Sequence, residues 1–353
     1  MTIESKSRVM IFPKIGKFII IFIALAFIVV GIRAYQLYQY VFQENIKTNY
    51  ILYISDNTTY KQITDSLHIN DVLITEKAFK WIAKKKNYKT AIKPGRYLFE
   101  KGMNTNEVVN MLRAGIQEPI DVTFNNVRFK EELAGKISKY IQADSISILS
   151  LFSDEKKIEN FGFNVENFRV MFIPNTYEFY WTTSAEEFAK RMKTEYDKFW
   201  TDTRKTKAKK INLSPKEVII LASIVQSEIL KTDELKRVAG LYINRLKYAI
   251  PLQADPTIKY AVGDYSIKRV LKKHLEIDSP YNTYKYGGLP PGPIMFPEIS
   301  AIDAVLNYET HKYLYMCAKE DFSGYHNFAK TLSQHNRNAS KYQAALDKNR
   351  IYK

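Results

Sequence analysis

Residues 213–256 read LSPKEVIILASIVQSEILKTDELKRVAGLYINRLKYAIPLQADP, and this stretch predicts the central helix of the chain. It opens with residues that are typical of a helix start. Ser214 is a preferred N-cap residue, Pro215 suits the first helical position, and Glu217 stands three residues after the cap. Together these residues predict a helix that begins at Pro215.

The apolar positions of this helix continue at helical spacing until they reach a carboxylate. Leu221, Ile224 and Val225 form an apolar stripe, and the next position on that stripe is Glu228. Burial disfavours the charged form of a carboxyl group and raises its pKa, which a general acid working near neutral pH requires. A glutamate in the last turn of a helix is also often solvated, or paired with a basic residue such as Lys231. The spacing alone allows both interpretations.

The length and composition indicate a folded chain of two or three domains. It has 353 residues, of which 46% are hydrophobic and 25% are charged. The 25 tyrosines and 20 phenylalanines are many. Aromatic rings of this kind pack against sugars or line interfaces, but they also build ordinary cores.

The net charge of +16 suggests an anionic partner. Three classes fit such a charge: nucleic acid, an anionic membrane surface, and an anionic polymer such as cell wall. No nucleic-acid-binding motif accompanies the basic clusters at residues 84–86 and 205–210, each of which reads as a solvated basic face, so we do not expect nucleic acid as a partner. The single Cys317 excludes an intramolecular disulfide, and the five histidines show no metal-ligand spacing. We therefore expect neither a metal nor another cofactor.

An apolar run near the start of the chain predicts a transmembrane helix. Residues 18–32 read FIIIFIALAFIVVGI, with basic residues on both sides, and we assign the span to residues 18–34. A cleaved signal peptide is the alternative, but residues 31–35 make a poor cleavage site. The basic residues before the run place residues 1–17 in the cytoplasm and the long C-terminal body on the outer side of the membrane.

Residues 50–118 have the pattern of a small α/β domain. A strand at residues 50–54, helices at residues 60–67 and 76–85, a strand that ends at residue 99 and a helix at residues 104–113 follow one another. This β-α-α-β order resembles a LysM-like module, a class that binds amino-sugar polymers. A purely structural spacer domain has the same pattern.

Residues 119–210 read as a connecting region, and residues 211–353 as the main mixed α+β domain. The connecting region contains predicted helices at residues 130–140 and 186–200, and a Pro-Asn turn at residues 173–179. Residues 201–210 are polar and rich in lysine, and we interpret them as a linker or exposed loop. The predicted fold class of the whole chain is α+β.

Several motifs follow the helix that carries Glu228, in a fixed order. They are LASIV-x-x-E, INRL, LQ-x-DPT, YNTY, GLPPGPI, YLY and a His-x-Phe element before HN, and they cover most of residues 214–342. In this order they resemble the YceG-like family, the endolytic murein transglycosylases. The GLPPGPI segment, residues 288–294, is predicted to be a rigid loop at the border of the cleft, because three prolines fix φ and two glycines permit unusual backbone angles.

The resemblance implies a single-pass protein of the bacterial cytoplasmic membrane. It would cleave the β-1,4 bond between N-acetylmuramic acid and N-acetylglucosamine in nascent glycan strands, leave 1,6-anhydromuramyl ends and terminate strand elongation. Its partners would be peptidoglycan glycan strands, the membrane and peptidoglycan synthases. The catalytic glutamate of the family falls on Glu228. The polar residues expected to hold the sugar are Asn244, Gln253, Asp255, Tyr281, Asn282 and His326.

The chain departs from the family pattern at four places. Gln226 stands where the family often has Glu, and a chain whose catalytic position were Gln226 would be inactive. Asn175 replaces an aspartate. Asn125 and Asn126 replace a Glu-Gly pair, and Glu298 replaces a glycine. None of these changes removes the carboxylate at Glu228.

Two other functions remain open at this level. A hydrolase with two carboxylates would pair Glu228 with Asp255 or Glu178. A membrane-tethered scaffold that binds glycan without cleaving it would merely bury Glu228. The mass of the products separates the first from a transglycosylase, since a hydrolase leaves reducing ends and a transglycosylase leaves anhydro ends.

Overall fold

The computed structural model describes residues 14–267 and 269–349, and of residues 14–17 the backbone alone. The predicted cytoplasmic tail therefore lies largely outside the described residues. The chain divides into two compact units, with the boundary between Pro119 and Ile120. Helices and short antiparallel sheets occur in both, so the predicted α+β class is confirmed.

Fifteen α-helices lie within the described residues. They are α1 Lys14–Phe42, α2 Tyr60–Ile69, α3 Glu76–Lys85, α4 Thr105–Ala114, α5 Lys130–Ile137, α6 Ser145–Ser150, α7 Glu155–Asn160, α8 Ala185–Phe199, α9 Asp202–Lys210, α10 Pro215–Glu228, α11 Leu235–Lys247, α12 Asp255–Val262, α13 Lys272–Leu275, α14 Ile299–Leu306 and α15 Leu332–Lys348.

Six strands in the same residues form three two-stranded antiparallel sheets. They are β1 Tyr50–Ile54 with β2 Gly95–Phe99, β3 Ile120–Phe124 with β4 Asn175–Phe179, and β5 Tyr315–Ala318 with β6 His326–Ala329.

The first unit begins with the long helix α1. Its segment Phe18–Phe42 has 25 residues and a mean hydropathy of 2.6, and none of its apolar window is buried. A helix of this length and composition can cross a membrane, and an N-terminal signal sequence has the same properties. The helix continues eight residues past the predicted end of the span at residue 34, because no helix-breaking residue interrupts residues 35–42.

The rest of the first unit has the element order predicted from its sequence. β1 pairs with β2 in the register Tyr50 to Phe99, and helices α2 and α3 lie between these strands in the chain. A capping box between Asn104 and Glu107 begins α4, and Gly115 ends it with φ 74°. The similarity to LysM modules stays a prediction.

The second unit is built around α10. The predicted helix start is confirmed, because Ser214 caps the helix and forms a capping box with Glu217. All side chains of residues 218–225 are buried, so α10 is a core helix and not an amphipathic surface helix. Helices α11, α12 and α14 pack against it.

Residues 120–210 fold together with the helices of the second unit instead of forming a separate connection. Their apolar side chains belong to the same hydrophobic core as those of α10. Residues 201–210, which we expected to be a loop, form helix α9. Thr201 caps that helix, and the guanidinium of Arg204 pairs with the Asp303 carboxylate of α14 at 3.1 Å. The expected turn at residues 173–179 is mostly strand β4, which pairs with β3.

The end of the second unit is the hairpin β5–β6 with helix α15 packed on it. No side chain of α15 is fully buried. The rings of Tyr315 and His335 stack with their centroids 5.4 Å apart, and they join the hairpin to the helix.

Two helical glycines allow a matched test of this packing. A Cβ atom on Gly240 in α11 would lie 2.3 Å from the carbonyl oxygen of Glu309, whereas a Cβ atom on Gly135 in α5 would meet nothing within 4 Å. We expect Gly240→Ala to lower the free energy of unfolding by about 1–3 kcal/mol, as overpacking does. Gly135→Ala should raise it by about 0.5–1 kcal/mol. Denaturant unfolding of the detergent-solubilised protein measures both, and equal effects of the two changes would contradict the packing around α11.

Candidate active site

Helix α10 carries Glu228 from the buried core to an open cavity. The helix ends at Glu228, and the following Ile229 is extended, with φ −109° and ψ 149°. A cavity of about 390 Å³ opens at this end of the helix and is lined in part by Glu228. Side chains of α11, of the segment that leads into the first residue of α12, of Tyr284, of the hairpin β5–β6 and of α15 line the rest.

The surroundings of Glu228 favour its protonated form. Burial of the carboxyl group raises its pKa to about 7, and the nearby negative charge of Asp255 acts in the same direction. The Tyr242 hydroxyl donates a hydrogen bond to Glu228 Oε1 at 2.8 Å, and this bond and the charge of Lys259 lower the pKa in part. The side chain is thus held in one place and titrates near neutral pH, as a general acid must.

Tyr242 keeps the proton of its hydroxyl, and so remains a hydrogen-bond donor, near neutral pH. It lies on α11, is 2% exposed, and burial raises the pKa of its hydroxyl well above its usual value. The basic partner considered for Glu228, Lys231, lies instead over the ring of Tyr325, with its Nζ 5.7 Å from the ring centroid.

Three of the six predicted sugar-binding residues line the same cavity as Glu228. Gln253 is exposed and has a positive φ of 53°, and its Oε1 accepts a hydrogen bond from Arg245. Asp255 is the first residue of α12, and its carboxylate accepts a hydrogen bond from the Tyr284 hydroxyl at 2.5 Å. His326 is the first residue of β6. All three lie at one cavity although up to 73 residues separate them in the chain.

The other three predicted residues lie elsewhere. Asn244 Nδ2 donates to the carbonyl oxygens of His311 and Tyr313, and so ties the segment after α14 to α11. Asn282 is fully buried, and its amide bonds backbone groups on both sides of its own turn. Their amide groups are therefore occupied by the protein backbone.

Tyr281 lines a separate cavity of about 280 Å³, in which its ring lies against Tyr260 with the centroids 4.6 Å apart.

The alternative second carboxylate, Glu178, is an exposed residue of β4 and is not part of the cavity lining around Glu228. Asp255 is part of that lining.

The GLPPGPI loop lies beside the N-terminal end of α10. We expected it to border the cleft, which lies beside Glu228 at the C-terminal end of that helix. Residues 288–291 line a different cavity, of about 990 Å³, together with the first turn of α10. The helix has 14 residues, and at 1.5 Å per residue it is about 21 Å long. The end of the loop supports the helix from the side, since the Ile294 N–H donates to Ser223 Oγ at 3.1 Å.

The chain matches the sequence model of the YceG-like family over residues 52–341. The chain belongs to the YceG-like family. The endolytic murein transglycosylase of Bacillus subtilis (strain 168) is 31% identical to it over 316 residues, which are 85% of this chain and 86% of that protein. The enzyme of the same name from Streptococcus pneumoniae (strain D39) is 27% identical over 343 residues. That alignment covers 86% of this chain and 61% of the pneumococcal protein, so the chain spans less than two thirds of that relative.

A solved structure has a similar fold. The 2.6 Å crystal structure of a protein from Listeria monocytogenes described as YceG-like matches with a TM-score of 0.53 and 27% sequence identity. The match covers 82% of this chain and 98% of that one.

Three of the departures from the YceG-like pattern lie together in the structure. The Glu298 N–H donates to Gln226 Oε1 at 2.7 Å, and Glu298 Oε1 accepts a hydrogen bond from the Asn126 N–H at 2.8 Å. The Gln226 amide is thus engaged with the backbone at the start of α14 and does not line the cavity around Glu228. The structure connects these residues to one another and not to Glu228.

Sequence reasoning missed several residues that line the cavity. All five stand in or beside the motifs already recognised, so the motifs located them without giving their roles. They are Tyr242, Arg245, Tyr284, Tyr315 and His335. Arg245 is 5% exposed and bonds the carbonyl oxygens of Pro251 and Leu314 at 2.8 Å each, which fixes two walls of the cavity.

Tyr242→Phe should move the alkaline limb of the pH–rate profile to higher pH. The change removes the hydroxyl that donates to Glu228, and with it a hydrogen bond that lowers the Glu228 pKa. That pKa should therefore rise above about 7. For a general acid the protonated form is the active one, so kcat/KM should persist to higher pH. The measurement is kcat/KM against pH with purified peptidoglycan.

Asp255→Asn should shift the alkaline limb of the pH–rate profile in the opposite direction. It removes a negative charge that raises the Glu228 pKa, so the alkaline limb should move to lower pH. Limbs that move in the same direction in both variants would contradict the assignment of the limb to Glu228.

Proposed function

We propose that this YceG-like protein is an endolytic peptidoglycan transglycosylase in which Glu228 is the catalytic acid. The observation that carries the proposal is the Glu228 carboxyl group, whose pKa is raised to about 7 and whose position is fixed by Tyr242 in an open cavity. The names of the relatives from B. subtilis and S. pneumoniae support the same reaction and substrate.

The first step is protonation of the leaving group. Glu228 donates its proton to the oxygen of the β-1,4 bond between N-acetylmuramic acid and N-acetylglucosamine. The bond between that oxygen and the muramyl C1 breaks, the electron pair goes to the oxygen, and positive charge develops at C1. A carboxyl group with a pKa near 7 supplies this proton at neutral pH, whereas an ordinary glutamate is almost fully ionised there.

The second step is attack by the C6 hydroxyl of the same muramyl residue. Its oxygen bonds to C1, and its proton goes to the carboxylate that Glu228 has become, which restores the acid. The product is a 1,6-anhydromuramyl end, and no water is consumed. An internal nucleophile has the advantage of proximity, so the cavity has no need to hold a catalytic water.

The lining of the cavity supplies groups that suit a sugar chain. Gln253, Asp255 and His326 offer hydrogen-bonding atoms, and the rings of Tyr284 and Tyr315 offer faces against which a pyranose ring packs. In this proposal Asn244 and Asn282 maintain the framework and do not touch the glycan. Tyr281 would contact it only outside this cavity.

The apolar helix α1 serves as a single membrane anchor in this proposal. Its length and hydropathy support a span, and the basic residues of positions 1–17 favour a cytoplasmic N-terminus. The catalytic unit would then act on nascent strands on the outer side of the cytoplasmic membrane, close to peptidoglycan synthases. Cleavage there would end strand elongation.

Glu228→Gln should abolish the formation of anhydromuramyl ends. The amide keeps the size of the side chain and still accepts the Tyr242 hydrogen bond, but it has no proton to transfer. Mass analysis of purified peptidoglycan after incubation with the detergent-solubilised protein measures the product. Glu178→Gln is the control and should leave activity unchanged, since Glu178 lies away from the cavity. Reducing ends in place of anhydro ends would support a two-carboxylate hydrolase with Asp255, and anhydro ends from the Glu228→Gln protein would show that the acid is another residue.

The same variant should also remove a pH dependence of stability. The pKa of Glu228 is about 7 in the folded protein and 4.5 in its ordinary state, so the folded state binds more protons between these values and loses stability as pH rises through them. Glu228→Gln should therefore have a melting temperature that is increasingly above that of the wild type as pH rises from about 4.5 to 7.

Protease accessibility tests the orientation. A protease added to spheroplasts should degrade the body from residue 50 onwards, because the proposal places it outside the membrane. A cytoplasmic marker protein serves as the control for lysis. Full protection of the body in intact spheroplasts would contradict the proposed orientation.

A further inference from the structure

A second carboxylate that the proposed mechanism does not use lies behind the wall of the same cavity. Glu234 belongs to the 3-10 turn Thr232–Glu234 between α10 and α11, and its side chain is only 4% exposed. Its Oε2 lies 2.8 Å from His326 Nδ1, and its Oε1 accepts the backbone N–H of the same histidine at 3.1 Å. Both carboxylate oxygens therefore bind one residue, whose ring lines the cavity of Glu228.

This arrangement determines which ring nitrogen of His326 carries the proton. An ionised carboxylate can only accept hydrogen bonds, so whenever the imidazole beside it is neutral its proton is on Nδ1 and Nε2 has a free lone pair. Among the described residues, no hydrogen bond uses Nε2. A buried carboxylate that orients a histidine whose other nitrogen is free is the arrangement by which a general base is prepared for a hydroxyl nucleophile.

A hydrogen bond that does not involve His326 also joins the turn Thr232–Glu234 to the hairpin β5–β6. The adjacent Asp233 accepts a hydrogen bond from the Tyr325 hydroxyl at 3.1 Å and joins the same turn to the same hairpin. Asp233 thus provides a matched carboxylate that has the structural role alone.

We propose that His326 is the base that accepts the proton of the attacking hydroxyl, and that Glu234 is the positioning residue that fixes the tautomer of His326. The inference rests on the proposed function and divides between Glu228 and His326 the two proton transfers that were given to Glu228 alone. Glu228 gives its proton to the leaving oxygen as the C1–O bond breaks. The C6 hydroxyl gives its proton to His326 Nε2 as its oxygen bonds to C1. The imidazolium then returns one proton to the Glu228 carboxylate, so both groups are restored.

Glu234→Gln tests the tautomer directly. The backbone N–H of His326 requires an acceptor, so the amide oxygen of the new side chain faces it and the amide NH₂ faces Nδ1. Nδ1 must then accept, the proton moves to Nε2, and the base is blocked while the shape of the site is kept. In a serine protease, replacing the aspartate behind the catalytic histidine by asparagine reverses the tautomer and lowers kcat about 10⁴-fold. General base catalysis contributes about 10²–10⁴-fold.

The experiment measures kcat and KM for anhydro-end formation by the full-length protein in detergent, with purified peptidoglycan as substrate, and the ¹⁵N shifts of the imidazoles. Glu234→Gln should lower kcat by about 10²-fold or more with little change in KM, and should convert His326 from the Nδ1–H to the Nε2–H tautomer. Asp233→Asn should leave both unchanged. His326→Gln should lower kcat to a similar extent, and it tests the base by itself if the Glu234 variant fails to fold.

Three results would overturn the inference. They are a folded Glu234→Gln or His326→Gln protein with kcat close to that of the wild type, an unchanged tautomer in Glu234→Gln, and a loss of activity that Asp233→Asn shares. If these variants were active and Glu228→Gln were not, the inference would fail while the proposed function stood. If Glu228→Gln were active, the proposed function would fail.

Discussion

The placement of one carboxyl group at the end of a buried helix is the constraint on which the rest of the second unit depends. Helix α10 is surrounded by the core over residues 218–225, and its last residue, Glu228, meets the cavity. The desolvation that comes with this position raises the Glu228 pKa to about 7. A fully solvated glutamate would be ionised at neutral pH and would have no proton to give.

Much of the surrounding structure maintains this position. The Tyr242 hydroxyl on α11 binds the carboxyl group, and Asn244 on the same helix ties the segment after α14 to α11. Arg245 joins the segment before α12 to the segment that enters β5. The cavity is thus assembled from elements far apart in the chain, and a short run of α11 holds several of them together.

The sequence was sufficient to predict the parts that depend on local chemistry. The capping residues Ser214 and Glu217 located the start of α10, and the apolar spacing led to Glu228. Strand β1 and helix α3 were predicted with the bounds that the structure has, since their patterns are strong and their neighbours are polar. The lysine-rich residues 201–210 were misjudged, because their helix depends on the Thr201 cap and on the distant Asp303.

The roles of polar residues in the site depend on partners that are distant in the chain, and for that reason the sequence predicted only some of them. Asn244 and Asn282 have the hydrogen-bonding capacity of sugar ligands, but backbone carbonyls already occupy their amides. Glu234 gave no sign in its sequence context, because its partner His326 lies 92 residues away.

The central claim is that burial keeps Glu228 protonated near neutral pH, and a direct titration of that carboxyl group tests it. The protein would be labelled with ¹³C at the glutamate side-chain carboxyl, the Glu228 resonance would be assigned by comparison with Glu228→Gln, and its shift would be followed from pH 3 to pH 9. The account predicts a midpoint at about 7. A midpoint near the ordinary value of 4.5 would show that the group is ionised at neutral pH and would contradict the account.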